Sequence, residues 1–418
     1  SKCALPGAAL TSTATLLAWR NIWRHPRRTL LTITAMIFAD VLLIFMLGLQ
    51  FGQYRMMIDN TLSIFTGQMQ VQADGYLDEP HLYRSIPAAD AVAQAIRARA
   101  QLNAVSTRGY GFALVSSETR TLGAQISGVE PQYEPRVSTL PGLIKQGRYL
   151  ESRDSNEIVI GSTLARNLKI EPGDELTILG SGRDGSIAAT VSPVVGVFES
   201  GSRDMDRHML SMPQDTFRDV FSMGDHAHSI VIGGERDKAD SIAAAIQEVL
   251  QDRDSLVLLN WEILMPGLKQ AIQADFTSAW FMYAVLIVLV AFGMLNTMLM
   301  SVLERTHEFG ILLALGVGHA RLSRMIVTES VVLATIGMLF GIALGALLVG
   351  YFYFNGFSFP GMEAMGERFN IPSVLYPEVS LRSLLPGPLA VFIATLLASL
   401  YPIWHMRKLR PIEALQAV

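Results

Sequence analysis

The 418-residue chain has a single cysteine, Cys3, and little charge: Asp, Glu, Lys and Arg make up 17% of it. One cysteine excludes an internal disulfide, a thiolate zinc site and a CxxC redox pair. No apolar stretch precedes it, so a lipidated cysteine has no support. Soluble globular proteins carry about 25% charge, and the shortfall points to a membrane protein. Basic and acidic residues number 33 and 37, a balance that gives no footprint for nucleic acid. HExxH, GxSxG and DxDxDG are missing, which removes three common catalytic or calcium-binding patterns. Also missing is GxxxxGK(S/T), whose lysine and hydroxyl hold nucleotide phosphates and magnesium. Gly142-Leu-Ile-Lys-Gln-Gly147 has the glycine spacing, but Arg148 and Tyr149 follow, so it reads as a loop into a strand. His226-Ala-His228 puts two rings on one face of a strand near His208. Without a third ligand at fixed spacing these read as surface histidines rather than a metal site. The expectation is no metal, no cofactor and no catalytic residue in this chain.

Four runs are nearly free of charge: Thr29–Gln50, interrupted only by Asp40, then Phe276–Leu303, Ser330–Met362 and Ser383–Met406. Each is long enough to span a bilayer, which takes about 20 residues. They place transmembrane helices at 29–51, 276–302, 326–352 and 384–404. Arginines and lysines crowd residues 1–28, the 303–325 loop and the tail 405–418, so these flanks belong in the cytoplasm with both termini. Residues 52–275 and 353–383 then lie outside. The larger segment carries 20 Lys/Arg against 29 Asp/Glu, a net −9.

The lead-in around Trp19, Arg20, Trp23, Arg24, Arg27 and Arg28 alternates aromatic and basic residues at helical spacing. That suits an amphipathic elbow lying in the membrane interface on anionic lipid, with Pro26 marking a bend into the first span. The outside domain mixes strands with two helices. Gly67–Gln72, Ala104–Val115, Gln125–Val129, Glu157–Ile160, Glu175–Leu179 and Val257–Leu259 read as strands. Thr190–Phe198 reads as a strand pair broken at Pro193. Ala88–Gln101 and Ala239–Leu250 read as helices. The fold class is therefore an α-helical membrane protein with four spans and a large α+β extracytoplasmic domain between the first two.

Three membrane features stand out. Gly337, Gly341 and Gly345 form GxxxGxxxG, a face that another helix can approach closely. Asp40, near the middle of the first span, is costly in hydrocarbon and calls for a polar partner, a cavity or a proton. Asn296 is a candidate partner, although nothing in the sequence brings the two together. The 303–325 loop places Glu304 and Glu308 on one helical face ahead of apolar Ile311–Leu315, a segment too short to span.

That loop, Glu304-Arg305-x-x-Glu308-Phe309-Gly310-Ile311-Leu312-x-Ala314-Leu315-Gly316, resembles the cytoplasmic signature of the FtsX-like, MacB-type permeases of ABC transporters. Ala18-Trp19-Arg20-Asn21 with Pro26-Arg27-Arg28-Thr29 is similar to that family's elbow, and Leu409-Arg410-Pro411-Ile412-Glu413-Ala414-Leu415 to its ending. Gly147-Arg148-Tyr149-Leu150 and Pro172-Gly173-Asp174 follow its outside domain. The resemblance implies a non-catalytic permease in the bacterial inner membrane, paired with a second copy or a homologue. A dimeric cytoplasmic ATPase would bind the ATP and magnesium, and a periplasmic carrier or adaptor would join outside. Glu304, Arg305 and Glu308 would make polar contacts to the ATPase. Phe309, Ile311 and Leu312 would fill its groove, and Gly310 and Gly316 would permit close approach. Layout is most like the lipoprotein-releasing LolC/LolE branch. A drug or peptide exporter of the macrolide type and a mechanical regulator of a periplasmic enzyme are the alternatives.

Overall fold

A computed structural model of the chain describes residues 24, 26–153, 155–234, 236–358, 360 and 374–407. Two compact units emerge: Met56–Ala271, and Ser1–Arg55 together with Ile272–Val418. The first described helix, α1 (Pro26–Thr61), opens on Pro26, where a missing N–H is no loss. It closes in a π-helical turn, Leu62–Thr66.

The domain that follows contains β1 (Met69–Ala73), α2 (Ala89–Ala100), β2 (Val105–Ser116), β3 (Thr121–Val129) and β4 (Ile144–Gly147). It continues through β5 (Ile158–Gly161), β6 (Glu175–Ser181), β7 (Ile187–Phe198), β8 (Met209–Pro213) and α3 (Gln214–Val220). β9 (Ser229–Ile232), α4 (Ala239–Leu250) and β10 (Leu256–Asn260) complete it. The long strand β2 serves two halves. Its first residues pair with β9 in the order β10-β1-β9-β2. Val71, Val105 and Ile230 of that half pack beneath Val92 and Ile96 of α2 and Ile242 and Ile246 of α4. The 3–4 spacing of these apolar residues is what makes α2 and α4 helices with one buried face.

The rest of β2 starts a closed circuit, β2-β3-β8-β5-β7-β6 and back to β2. Val115, Ile126, Ile160, Ile178 and Leu210 fill its interior. Closure of this kind removes free edges. The expected break at Pro193 does not occur, since β7 runs unbroken through it. Pro193 faces Glu175 at the last pair of the β6 ladder, where its missing N–H interrupts nothing. β8 and β9 are short, fully buried runs without alternation, so periodicity does not reveal them.

The last carbonyls of a helix ordinarily lack partners. At the end of α1 the domain supplies them. Thr139 N–H donates to the Ser63 carbonyl at 2.7 Å, and Ser138 Oγ to that of Ile64 at 2.7 Å. Arg108 donates to the Phe65 carbonyl, and Gln70 Nε2 to that of Thr66 at 2.7 Å. Arg108 is fully buried, lies over the Phe65 ring, and pairs with equally buried Glu134 at 2.5 Å.

His228 is not a surface residue. It is buried, accepts from the Tyr110 N–H at 2.8 Å and stacks on Tyr76. Burial pushes its pKa down to about 4, with Arg183 and His226 adding to the effect against the Leu82 carbonyl. His226 bonds Ser85 instead, and His208 sits beside Asp204. Among the described residues no group of three or more metal-ligating side chains forms. Nearby, Asp90 of α2 takes Arg153 and Arg218 on its two oxygens. Burial raises its pKa, but the two arginines outweigh that and leave it at about 2.

The second unit adds α5 (Pro266–Glu304), α6 (Thr306–Ala314), α7 (His319–Asn355) and α8 (Pro386–Arg407). Helices α1, α5, α7 and the stretch Leu381–Trp404 are long and apolar enough to cross a membrane. Met36 and Leu43 of α1, Met294 and Met298 of α5, Leu333 of α7 and Val391 of α8 form their shared core. Tyr54 donates to Asp275 at 2.6 Å and Tyr283 to Gln50 at 2.9 Å, tying α1 to α5.

Candidate coupling site

The short helix α6 is marked off at both ends by backbone chemistry. Arg305 leaves helical geometry between α5 and α6. At the other end Gly316 has φ +87°. Its N–H donates to the Leu313 carbonyl and that of Val317 to the Leu312 carbonyl, both at 3.0 Å. This is a Schellman stop, and Leu312 and Val317 both pack against the buried cluster around Phe309. Gly316 ends the helix, and within this chain a Cβ there would meet open space.

Two faces of α6 behave differently. Phe309 is 2% exposed and packs on Val302, Leu322, Ile326 and Ile403. Gly310 is buried beside it. Arg305 is buried too, 3.3 Å from buried Glu329 and 3.6 Å from Glu308. Phe309, expected to fill the ATPase groove, and Arg305, expected to contact the ATPase, are turned into the chain's own interior. Phe309 looks inward because Val302 of α5, Leu322 and Ile326 of α7 and Ile403 of α8 offer it a core, and Arg305 because Glu329 of α7 offers it a charge. The outward face consists of Glu304, His307, Ile311, Ala314 and Leu315, with Glu308 and Leu312 half-buried at its edge. His307 and Leu315 were not expected, although the spacing 304, 307, 311, 315 was available.

Glu304 and Glu308 also have partners within the chain. Arg28 donates to Glu304 at 2.7 Å and Arg24 to Glu308 at 2.5 Å. The two pairs lie four residues apart in each segment. Arg27 points away and is exposed. Trp19, Arg20 and Trp23 of the expected elbow lie outside the described residues, as does the tail from 408.

The glycine series faces α1. A Cβ on Gly337 would meet Met36, one on Gly341 would meet Asp40, and one on Gly345 would meet Ile44. Every fourth residue of α1 thus rides in a groove that three glycines make in α7. Asp40 is fully buried there, and neither carboxyl oxygen has a hydrogen-bond partner. Asn296 does not serve it, because it is exposed on another face of α5. An apolar cleft of about 430 Å³ opens between α1 and α5, lined by Leu31, Met36, Leu289 and Met294 with Arg28 among its walls.

Residues 29–251 match the MacB-like periplasmic core domain, and residues 280–411 match the FtsX-like permease C-terminal family. The chain belongs to the FtsX/MacB family of ABC transporter permeases. The permease is 23% identical over 330 residues to the lipoprotein-releasing system transmembrane protein LolE of Haemophilus influenzae, covering 76% of this chain and 78% of that one. It is 25% identical over 415 residues to the macrolide export ATP-binding/permease protein MacB of Psychrobacter arcticus, covering 96% and 58%. The solved periplasmic region of MacB from Actinobacillus actinomycetemcomitans overlays 50% of the permease and 94% of that chain, with a TM-score of 0.37 and 17% identity.

Proposed function

We propose that this permease passes the stroke of a partner ATPase dimer to its periplasmic domain and so extracts lipoproteins or similar amphiphiles from the inner membrane. The supporting observation is α6: a capped helix between two membrane-length helices, with an outward face of Glu304, His307, Ile311 and Leu315. In this reading both termini and α6 are cytoplasmic, in keeping with the basic flanks. ATP and magnesium belong to the partner, since these 418 residues contain no phosphate-binding loop. A second copy or a homologue completes the transporter. The Arg28–Glu304 pair joins α1 to the end of α5, and the Arg24–Glu308 pair joins the residues just before α1 to α6, so that a push on α6 has a path to α1. The apolar cleft between α1 and α5 suits an acyl chain and favours an amphiphile over a soluble drug or peptide.

The test is Glu308→Lys in the complex reconstituted with its ATPase. It should keep the melting temperature and lower cargo-stimulated ATPase activity at least fivefold. Arg24→Glu in the same chain should recover part of the loss. Unchanged stimulation in Glu308→Lys would refute the role given to α6.

A further inference from the structure

Alternate residues of a strand share a face. Gln70 and Gln72 of β1, Tyr110, Phe112 and Leu114 of β2 and Gln125 of β3 therefore lie on one side of the sheet, opposite the helices α2 and α4. This side holds two adjoining cavities. One, of about 540 Å³, is lined by Gln70, Gln72, Tyr76, Tyr110 and Ser181 among others. The second, of about 370 Å³, is lined by Leu114, Leu179 and His208 among others. Phe112 and Gln125 border both, so the two make one trough. Each volume is within the usual range for small-molecule sites, roughly 300–1,000 Å³.

The chemistry changes along the trough. Its first end sets two amides, two phenols, a serine and His81 among apolar walls that include Leu77, Leu82 and Leu264. Gln72 Nε2 donates to Gln70 Oε1 at 2.8 Å and Gln70 in turn to the Thr66 carbonyl, so the amides are ordered in one direction. The buried Gln72 Oε1 is left without a donor. The other end is apolar and open: Phe112, Leu114 and Leu179 are 71%, 51% and 48% exposed. Leu114 and Leu179 are direct cross-strand neighbours, so this is a patch rather than scattered residues. No Asp, Glu, Lys or Arg is among the described residues that line either cavity, and His81 at one end and His208 at the other are the ionisable imidazoles there.

We infer that this trough binds a single-chain, uncharged amphiphile, with its hydroxyl- or amide-bearing head at the Gln72 end and its alkyl chain along Phe112, Leu114 and Leu179. An ionic head would be desolvated without a counter-charge, and a purely apolar ligand would leave the polar end unused. The inference stands on the periplasmic domain alone and holds whatever cargo the membrane helices move.

The full-length permease in nanodiscs, without ATPase, would be photolabelled with a diazirine-bearing monooctanoylglycerol below its micellar concentration. Label is expected on peptides spanning 110–125 and 177–181. Leu114→Asp, on an exposed residue and with an unchanged melting temperature, should lower that labelling at least tenfold. Gln72→Ala should weaken capture of the glycerol ester severalfold and leave capture of a headless alkyl diazirine unchanged. Labelling confined to the membrane helices, or sheet labelling indifferent to Leu114→Asp, would overturn the inference. So would equal capture of a carboxylate-headed probe, or crosslinks joining two copies of the chain through this patch.

Discussion

The glycine groove of α7 gives a graded prediction, because its three contacts differ in kind. An added Cβ on Gly341 would lie 2.5 Å from the Cβ of Asp40. That carbon is fixed to the backbone and no side-chain torsion can move it. Ordinary carbon contacts need about 3.5–4.0 Å, so in Gly341→Ala the two helices must part by about 1 Å. On Gly345 the nearest atom, at 2.6 Å, is the Cδ1 of Ile44, which can rotate away and leave contacts of 3.1 Å. On Gly337 the tightest contact is the Met36 Cβ, equally fixed but 3.1 Å away, and the Cε and Sδ at 3.3 and 3.5 Å belong to a side chain that adapts. Overpacking costs about 1–3 kcal/mol. Gly341→Ala should sit near 3 kcal/mol, Gly345→Ala near 2, and Gly337→Ala near 1 or less. Gly350, in the same helix, has nothing within 4 Å of the added carbon. Gly350→Ala is the control and should be neutral or slightly stabilising, since alanine is the better helix former. The assay is unfolding by SDS titration in mixed micelles, followed by tryptophan fluorescence. Asp40→Gly combined with Gly341→Ala, which exchanges ridge and groove, should recover more than half of the loss. Equal effects at 337 and 341, or a harmless Gly341→Ala, would refute the close approach of α1 and α7.

Two further outcomes concern the periplasmic domain. His228 titrates near 4 when folded and near 6.5 when unfolded, so the unfolded chain takes up the proton first. Stability should be full above pH 6.5 and fall as the pH drops through 4, by about 2 kcal/mol at pH 5 relative to pH 8. The contribution of Asp90 is present above its unfolded value of 3.8 and is lost as the pH falls from there through about 2, so its window lies below that of His228. Thermal melts of His228→Gln, which keeps an acceptor for Tyr110, should lose the slope between pH 6.5 and 4. Arg108→Gln should cost about 3–5 kcal/mol by stranding buried Glu134. The double change of Arg108 and Glu134 to Met should return much of that in the same melts.

The sequence makes the membrane helices visible because lipid demands long runs without charge, and α1, α5, α7 and α8 all contain such runs. GxxxGxxxG points to a close helix neighbour, but nothing in it names Met36, Asp40 and Ile44 as the residues opposite. Glu329 stands at the mouth of the charge-free run that starts at Ser330. Its pairing with Arg305 depends on how α5 and α7 pack, which spacing does not encode. The same holds for α6: its existence is clear from Glu304 to Gly316, yet Phe309 faces inward because α7 and α8 offer it a core. Residues 209–213 and 229–232 are strands buried on both faces, without the alternation that marks β2.

The capped end of α1 bears on where the periplasmic domain begins. Hydropathy ends the first apolar run at Gln50, and the first β-strand starts only at Met69. A fragment trimmed to Gly67 would look natural on either ground. It would discard Ser63, Ile64 and Phe65, whose carbonyls are bound by Thr139, Ser138 and Arg108, and the aromatic ring on which Arg108 lies. It would leave a buried guanidinium and a hydroxyl short of acceptors. The compact unit starts at Met56, and a soluble version of the domain has to carry the final turns of a helix whose earlier part spans the membrane.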